Sequence, residues 1–94
     1  MNRKSFTEQF ESQLEAWSAE LEALEAEVKR AGSAGESASQ RELEELREVR
    51  REARARLEEI RGAADGSWEH LTDEVERAFT RLRSAVEAAR KAIR

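Results

Sequence analysis

His70 stands alone as the chain's histidine, and Asp73 and Glu74 follow it by three and four positions. On an α-helix that spacing puts one imidazole and two carboxylates on one face, a set that could weakly hold a divalent cation or pass a proton. A zinc site needs more nitrogen or sulfur than this. No second His and no Cys exist to supply it. His70 therefore reads as a solvated side chain in the first turn of a helix.

Other chemistry is equally short of context. Ser, His and acidic residues are all present, but no G-x-S-x-G elbow or comparable nucleophile setting accompanies them. Gly32-x-x-Gly35 lacks the Lys-Ser/Thr that would make a phosphate loop, and it reads as the end of a helix. The carboxylates are numerous because the surface is charged, so no pair of them stands out for acid–base work. No catalytic, cofactor-binding or metal-ligating residue is expected, and the chain reads as no enzyme.

One arrangement is unusual. If the chain folds back on itself at Gly32–Gly35, Trp17 comes to face Arg50 and Ala78, with Val49 and Phe79 alongside. The small Ala78 would leave room for the indole, and the Arg50 stem could cross its face while the guanidinium reaches water. A polar ligand slot is one reading of that layer. Ordinary snorkelling of an Arg at the edge of a seam is the other.

The elements that must position these residues are helical. Ser67–Ile93 carries the broadest apolar face: Trp68, Leu71, Val75, Ala78, Phe79, Leu82, Ala85, Val86, Ala89 and Ile93 recur at steps of three and four. Phe6, Phe10, Leu14, Trp17, Leu21, Leu24 and Val28 do the same in the first third. Leu43, Leu46, Val49, Ala53, Leu57 and Ile60 form a narrower stripe in the middle. Ser5 or Thr7 can cap the first helix, with Glu8 completing a capping box on Ser5. Ser37 or Ser39 can start the second helix, and Asp65 or Ser67 the third.

Composition sets the frame. Charged residues make up 40% of the 94 and hydrophobic ones 38%, with no Pro, Cys or Tyr. Such richness in Ala, Glu, Leu and Arg with this periodicity points to a coiled coil or bundle. The lack of Cys fits a reducing compartment, and the start, MNRKSFTEQF, has no apolar leader-like core. A cytoplasmic location is expected. The net charge is −4, yet residues 77–94 hold six basic groups and one acidic. Dipole compensation at a helix end accounts for that basic tip more simply than an anionic partner. Net acidity, and Trp residues spaced for a core, give no reason to expect nucleic acid.

Trp68-Glu69 with Leu71, then Val75, Ala78-Phe79, Leu82 and Ala85-Val86, resembles the end of small bacterial coiled-coil stress-response proteins. Phe10, Leu14, Trp17 and Leu21-Glu22-Ala23-Leu24 resemble the start of the same family. The resemblance spans nearly the whole chain and implies a small cytoplasmic helical protein linked to stress. It carries over no catalytic residue. Gly32-Ser33-Ala34-Gly35 and an Arg-rich middle, where Lys is commoner in the family, depart from the pattern.

These readings combine into an all-α fold, one helical domain over residues 1–94 with helices at about 5–31, 37–61 and 67–93. The expected architecture is an antiparallel, up-down-up coiled-coil bundle with layers such as Phe6/Ile60/Trp68, Phe10/Leu57/Leu71 and Leu14/Ala53/Val75. The stripe also continues in phase through residues 62–66. The alternative is therefore a helical hairpin with one long second helix, paired in a swapped antiparallel dimer. The function expected is that of a non-enzymatic structural or interaction protein, acting through self-association as a homodimer or through a protein partner. The rival is reversible binding to a membrane surface through the amphipathic third helix; the bundle layers, which already occupy its apolar side, disfavour it.

Overall fold

Asn2 starts the first helix: its side-chain oxygen accepts from the Ser5 N–H at 2.8 Å, which satisfies one orphan donor of the first turn. The computed structural model describes residues 2–32 and 36–94, with all side chains among them except those of Glu36 and Ser37. Helix α1 runs Arg3–Ala31, and its cap Asn2 lies three residues ahead of Ser5 and five ahead of Thr7, the caps that the sequence suggested. Ser5 is a donor to a cap rather than a cap. Thr7 lies buried inside the helix, its hydroxyl donating back to the Lys4 carbonyl at 3.0 Å. Gly32 ends α1 at φ +76°, a left-handed backbone that glycine adopts without the clash a Cβ would bring.

Helix α2 spans Glu36–Gly62. Ser39 therefore sits within its first turns rather than at its start, as does the backbone of Ser37; residues 33–35 of the first turn lie outside the described residues. Helix α3 spans Thr72–Ile93 and is entered through a single 3₁₀ turn, Trp68–Leu71. Neither Asp65 nor Ser67 caps it. Ser67 precedes the 3₁₀ turn without a side-chain cap bond, and the Asp65 carboxylate is taken by Arg3. Asp73 and Glu74 in the first turn of α3, and Arg90 and Lys91 in the last, complement its dipole.

The three helices pack against one another in a rod 51 Å long and 17 Å across. Glu11 pairs with Arg61 and Glu25 with Arg47, so α1 and α2 are antiparallel. Phe6 meets Trp68, and Glu27 meets Arg94 at the other end, so α1 and α3 run the same way. This is an up-down-up bundle, with the chain broken between α2 and α3 rather than running through as one long helix.

Every element gives its apolar stripe to one core. Leu24, Leu46, Ala53, Ile60, Val75, Leu82 and Ala89 are wholly covered, and Leu21, Leu43, Leu57, Phe79 and Val86 nearly so. Phe79 is its centre. Its ring lies edge-on to Phe10 at 4.8 Å and reaches Trp17 at 6.3 Å. The expected Phe10/Leu57/Leu71 layer is thus displaced: Phe10 packs on Phe79, and Leu71 is half-buried. Leu14 likewise is half-buried at the α1–α2 boundary instead of sitting inside a Leu14/Ala53/Val75 layer. The loop at 63–67 and the 3₁₀ turn take up more chain than a sharp reversal about Ala64. Phe6 still meets Trp68, as the Phe6/Ile60/Trp68 layer expects, so the departure is local to Phe10 and Leu14 and is not a shift of the whole of α3 along α1.

Candidate interaction face

Two sites suggested by the sequence do not assemble. His70 is exposed in the 3₁₀ turn, Asp73 and Glu74 are exposed beyond it, and among the described residues no three His, Asp or Glu side chains gather closely enough for a metal ion. The Trp17–Arg50 slot is absent as drawn. Trp17 lies half-buried between α1 and α3 with Gln13, Phe79, Thr80 and Arg83; Phe79 is beside the indole as the sequence suggested, and Arg50 is not among these neighbours. Arg50 is half-buried on α2 and makes no ion pair with a described residue.

The basic tip of α3 has a partner within the fold. Arg90 contacts Glu20 at 3.2 Å, and Arg94 contacts Glu20 at 2.9 Å and Glu27 at 3.0 Å. The Arg90 guanidinium, donating to Glu20 and backed by the Arg94 charge, holds that carboxyl below its ordinary range. Glu27, with Glu20 behind it, pushes Arg94 up. The cluster ties α3 to α1, which explains the charge asymmetry better than dipole compensation alone.

The apolar face of α3 is also spoken for. Val75, Ala78, Phe79, Leu82, Val86 and Ala89 all point into the bundle, and among the described residues no helix is long and apolar enough to cross a membrane.

The groove between α1 and α2 differs from the other faces. Two open depressions of about 650 and 550 Å³ share Glu22 and run along it, lined by α1 and α2 with no α3 residue. The floor is apolar or small: Leu14, Ala19, Ala26, Val28, Leu43 and Leu57. The walls are charged at heptad spacing. On α2, Arg47, Arg54 and Arg61 are seven residues apart; on α1, Glu11, Ser18 and Glu25 are too.

The outer rungs of this ladder are closed. Arg47 binds Glu25 with both its Nε (2.9 Å) and a terminal nitrogen (2.6 Å). Arg61 binds Glu11, with Glu58 assisting, and its guanidinium is held more firmly protonated by that contact. The middle rung is open. Ser18 stands where an acid would complete it, and Arg54 makes no ion pair with any described residue. The Ser18 hydroxyl is covered and has no hydrogen-bond partner among them. Glu15 and Glu22 on the α1 side are exposed and likewise make no ion pair with a described residue. The groove thus offers an apolar floor with two exposed alanines, Ala19 and Ala26, one open cation on one wall and two open carboxylates on the other. The signal was in the sequence: the two rows are visible at spacing seven, and only pairing them across the first turn shows that Ser18 breaks one.

The fold and this face define a small three-helix bundle with an open groove between α1 and α2. Comparison of the chain with protein-family models, with curated proteins and with solved structures gives no match.

Proposed function

We propose that the chain is a non-enzymatic interaction protein whose α1–α2 groove receives a helix from a protein partner, forming a fourth strand of the bundle. The observation that carries this reading is the open middle rung at Ser18 and Arg54 in an otherwise closed ladder. A docked amphipathic helix would lay small or apolar residues on Leu14, Ala19 and Ala26. An acid on it would meet Arg54, and a base on its other side would meet Glu15 and Glu22. Such charges set register and partner choice more than affinity. Following the family resemblance, the setting proposed is a bacterial stress response. A lipid-surface role has less support, since it would require α3 to leave the core it fills.

Site-specific photo-crosslinking in cells tests the proposal. A crosslinking residue placed at Ala19 or Ala26 should capture a partner that the same residue at Ala88, exposed on α3, does not. Arg54→Glu should abolish the capture at Ala19 while helix content stays unchanged. Equal capture at Ala19 and Ala88, or capture indifferent to Arg54→Glu, would contradict it.

A further inference from the structure

Very little holds the connection between α2 and α3 in place. Of residues 62–67 only Ala63 is even half-buried. Gly62 and Gly66 are not left-handed, and a Cβ at either would meet nothing. The turn needs glycine neither for shape nor for space. Besides two local backbone bonds, Ala63 N–H to the Ile60 carbonyl at 3.3 Å and Ser67 N–H to the Ala64 carbonyl at 2.9 Å, what holds it is Arg3, from the far end of the chain. Its guanidinium donates to the carbonyls of Ile60 at 3.3 Å and Ala63 at 2.6 Å, and it pairs with Asp65 at 2.5 Å.

Those two carbonyls are open to Arg3 because α2 stops here. In a helix that ran on, the N–H groups of Ala64 and Ser67 would take them. The apolar stripe meanwhile passes through the break in phase, from Ile60 to Trp68, Leu71 and Val75.

We infer that Arg3 is a latch, and that the α1–α2 hairpin is a docking surface for α3 of a second copy of this chain. With the latch released, α2 and α3 join into one helix from Glu36 to Ile93, and each α3 packs on the other chain's hairpin. The hairpin itself does not change, so Val75, Phe79 and Leu82 find the same neighbours in either form. Two such helices cross near Gly66, midway between Glu52 and Arg81, which meet across α2 and α3. There Gly62, Ala63, Ala64, Gly66 and Ser67 are all small enough to let backbones approach, which accounts for glycines that the closed turn does not require. The choice between forms rests on local helix preference, the Arg3 contacts and protein concentration. The inference goes beyond the groove reading and does not depend on it, since no α3 residue lines the groove.

The test compares wild type, Gly62→Ala/Gly66→Ala, and the same pair with Arg3→Ala, by light scattering after size exclusion over a concentration series. Dimer should increase in that order. A tenfold loss of closed form per chain raises the association constant about 100-fold, because each dimer opens two chains. To identify the swap, Glu52→Cys and Arg81→Cys are added, at positions whose native side chains meet at 3.3 Å across α2 and α3. The chain has no other Cys to interfere. A short bis-maleimide should then join two chains in the dimer and one chain to itself in the monomer. A triple variant that stays monomeric, a dimer joined only within chains, or a loss of helix without dimer would each overturn the inference.

Discussion

Phe79→Ala is the most informative single cut into the core. The side chain is 2% exposed, so its removal leaves a void that the flanking helices can only partly fill. A buried Phe→Ala change costs about 3–5 kcal/mol, and edge-on aromatic pairs such as Phe10–Phe79 hold about 0.5–1.5 kcal/mol of interaction beyond area burial. A domain of this size has about 5–15 kcal/mol in total, so Phe79→Ala should lower Tm by roughly 15–30 °C. Half-buried Leu14→Ala should cost much less, under about 2 kcal/mol. Urea and thermal unfolding followed by far-UV circular dichroism measure both. The register is tested by a double-mutant cycle of Phe10→Leu and Phe79→Leu, with an expected coupling of about 0.5–1.5 kcal/mol. If Phe10 instead met Leu71, the coupling would vanish. A zero coupling, or a Phe79→Ala cost no larger than that of Leu14→Ala, would refute the packing of α3 on α1 described above.

Three further outcomes are expected. Arg50→Leu should leave stability unchanged or raise it by ~1 kcal/mol, because the stem's packing is kept and a half-buried charge without an ion pair is removed; chemical denaturation reads the sign. Ser18→Ala should stabilise by up to about 1 kcal/mol, since the covered hydroxyl has no partner to lose, and a clear loss of stability would show that it has one. Glu20 has a folded pKa below its unfolded value, so its contribution is present above the ordinary carboxylate range and is lost as pH falls through the depressed value. Thermal scans from pH 7 to pH 2 should therefore show a smaller acid loss for Glu20→Gln than for wild type, and identical slopes would remove Glu20 from the acid response.

The helices and their inward faces were legible because steps of three and four leave few alternatives for Phe6–Val28, Leu43–Ile60 and Val75–Ile93. The register of α3 on α1 was legible only in part: Phe6 meets Trp68 and Trp17 lies beside Phe79 as expected, but Phe10 packs on Phe79 rather than with Leu71. Apolar residues one turn apart are nearly equivalent, and only the chain consumed at 63–67 decides between them. The caps failed for a local reason: Asn2 precedes Ser5 and offers the same acceptor, so the earlier residue took the helix start. Arg3 was invisible as a structural residue because its partners lie 57 to 62 positions away. The groove stood between these cases, with both heptad rows in plain view and their pairing supplied by the fold.

The groove reading meets its most direct test in a charge-swap titration. With the partner helix captured at Ala19 in hand, Arg54→Glu should weaken its binding by tenfold or more, about 1.4 kcal/mol, as measured by calorimetry. Changing the partner's facing acid to Lys should restore binding to Arg54→Glu while weakening it to wild type. Binding that ignores both changes would mean that the open rung at Ser18 and Arg54 is not where this protein meets its partner.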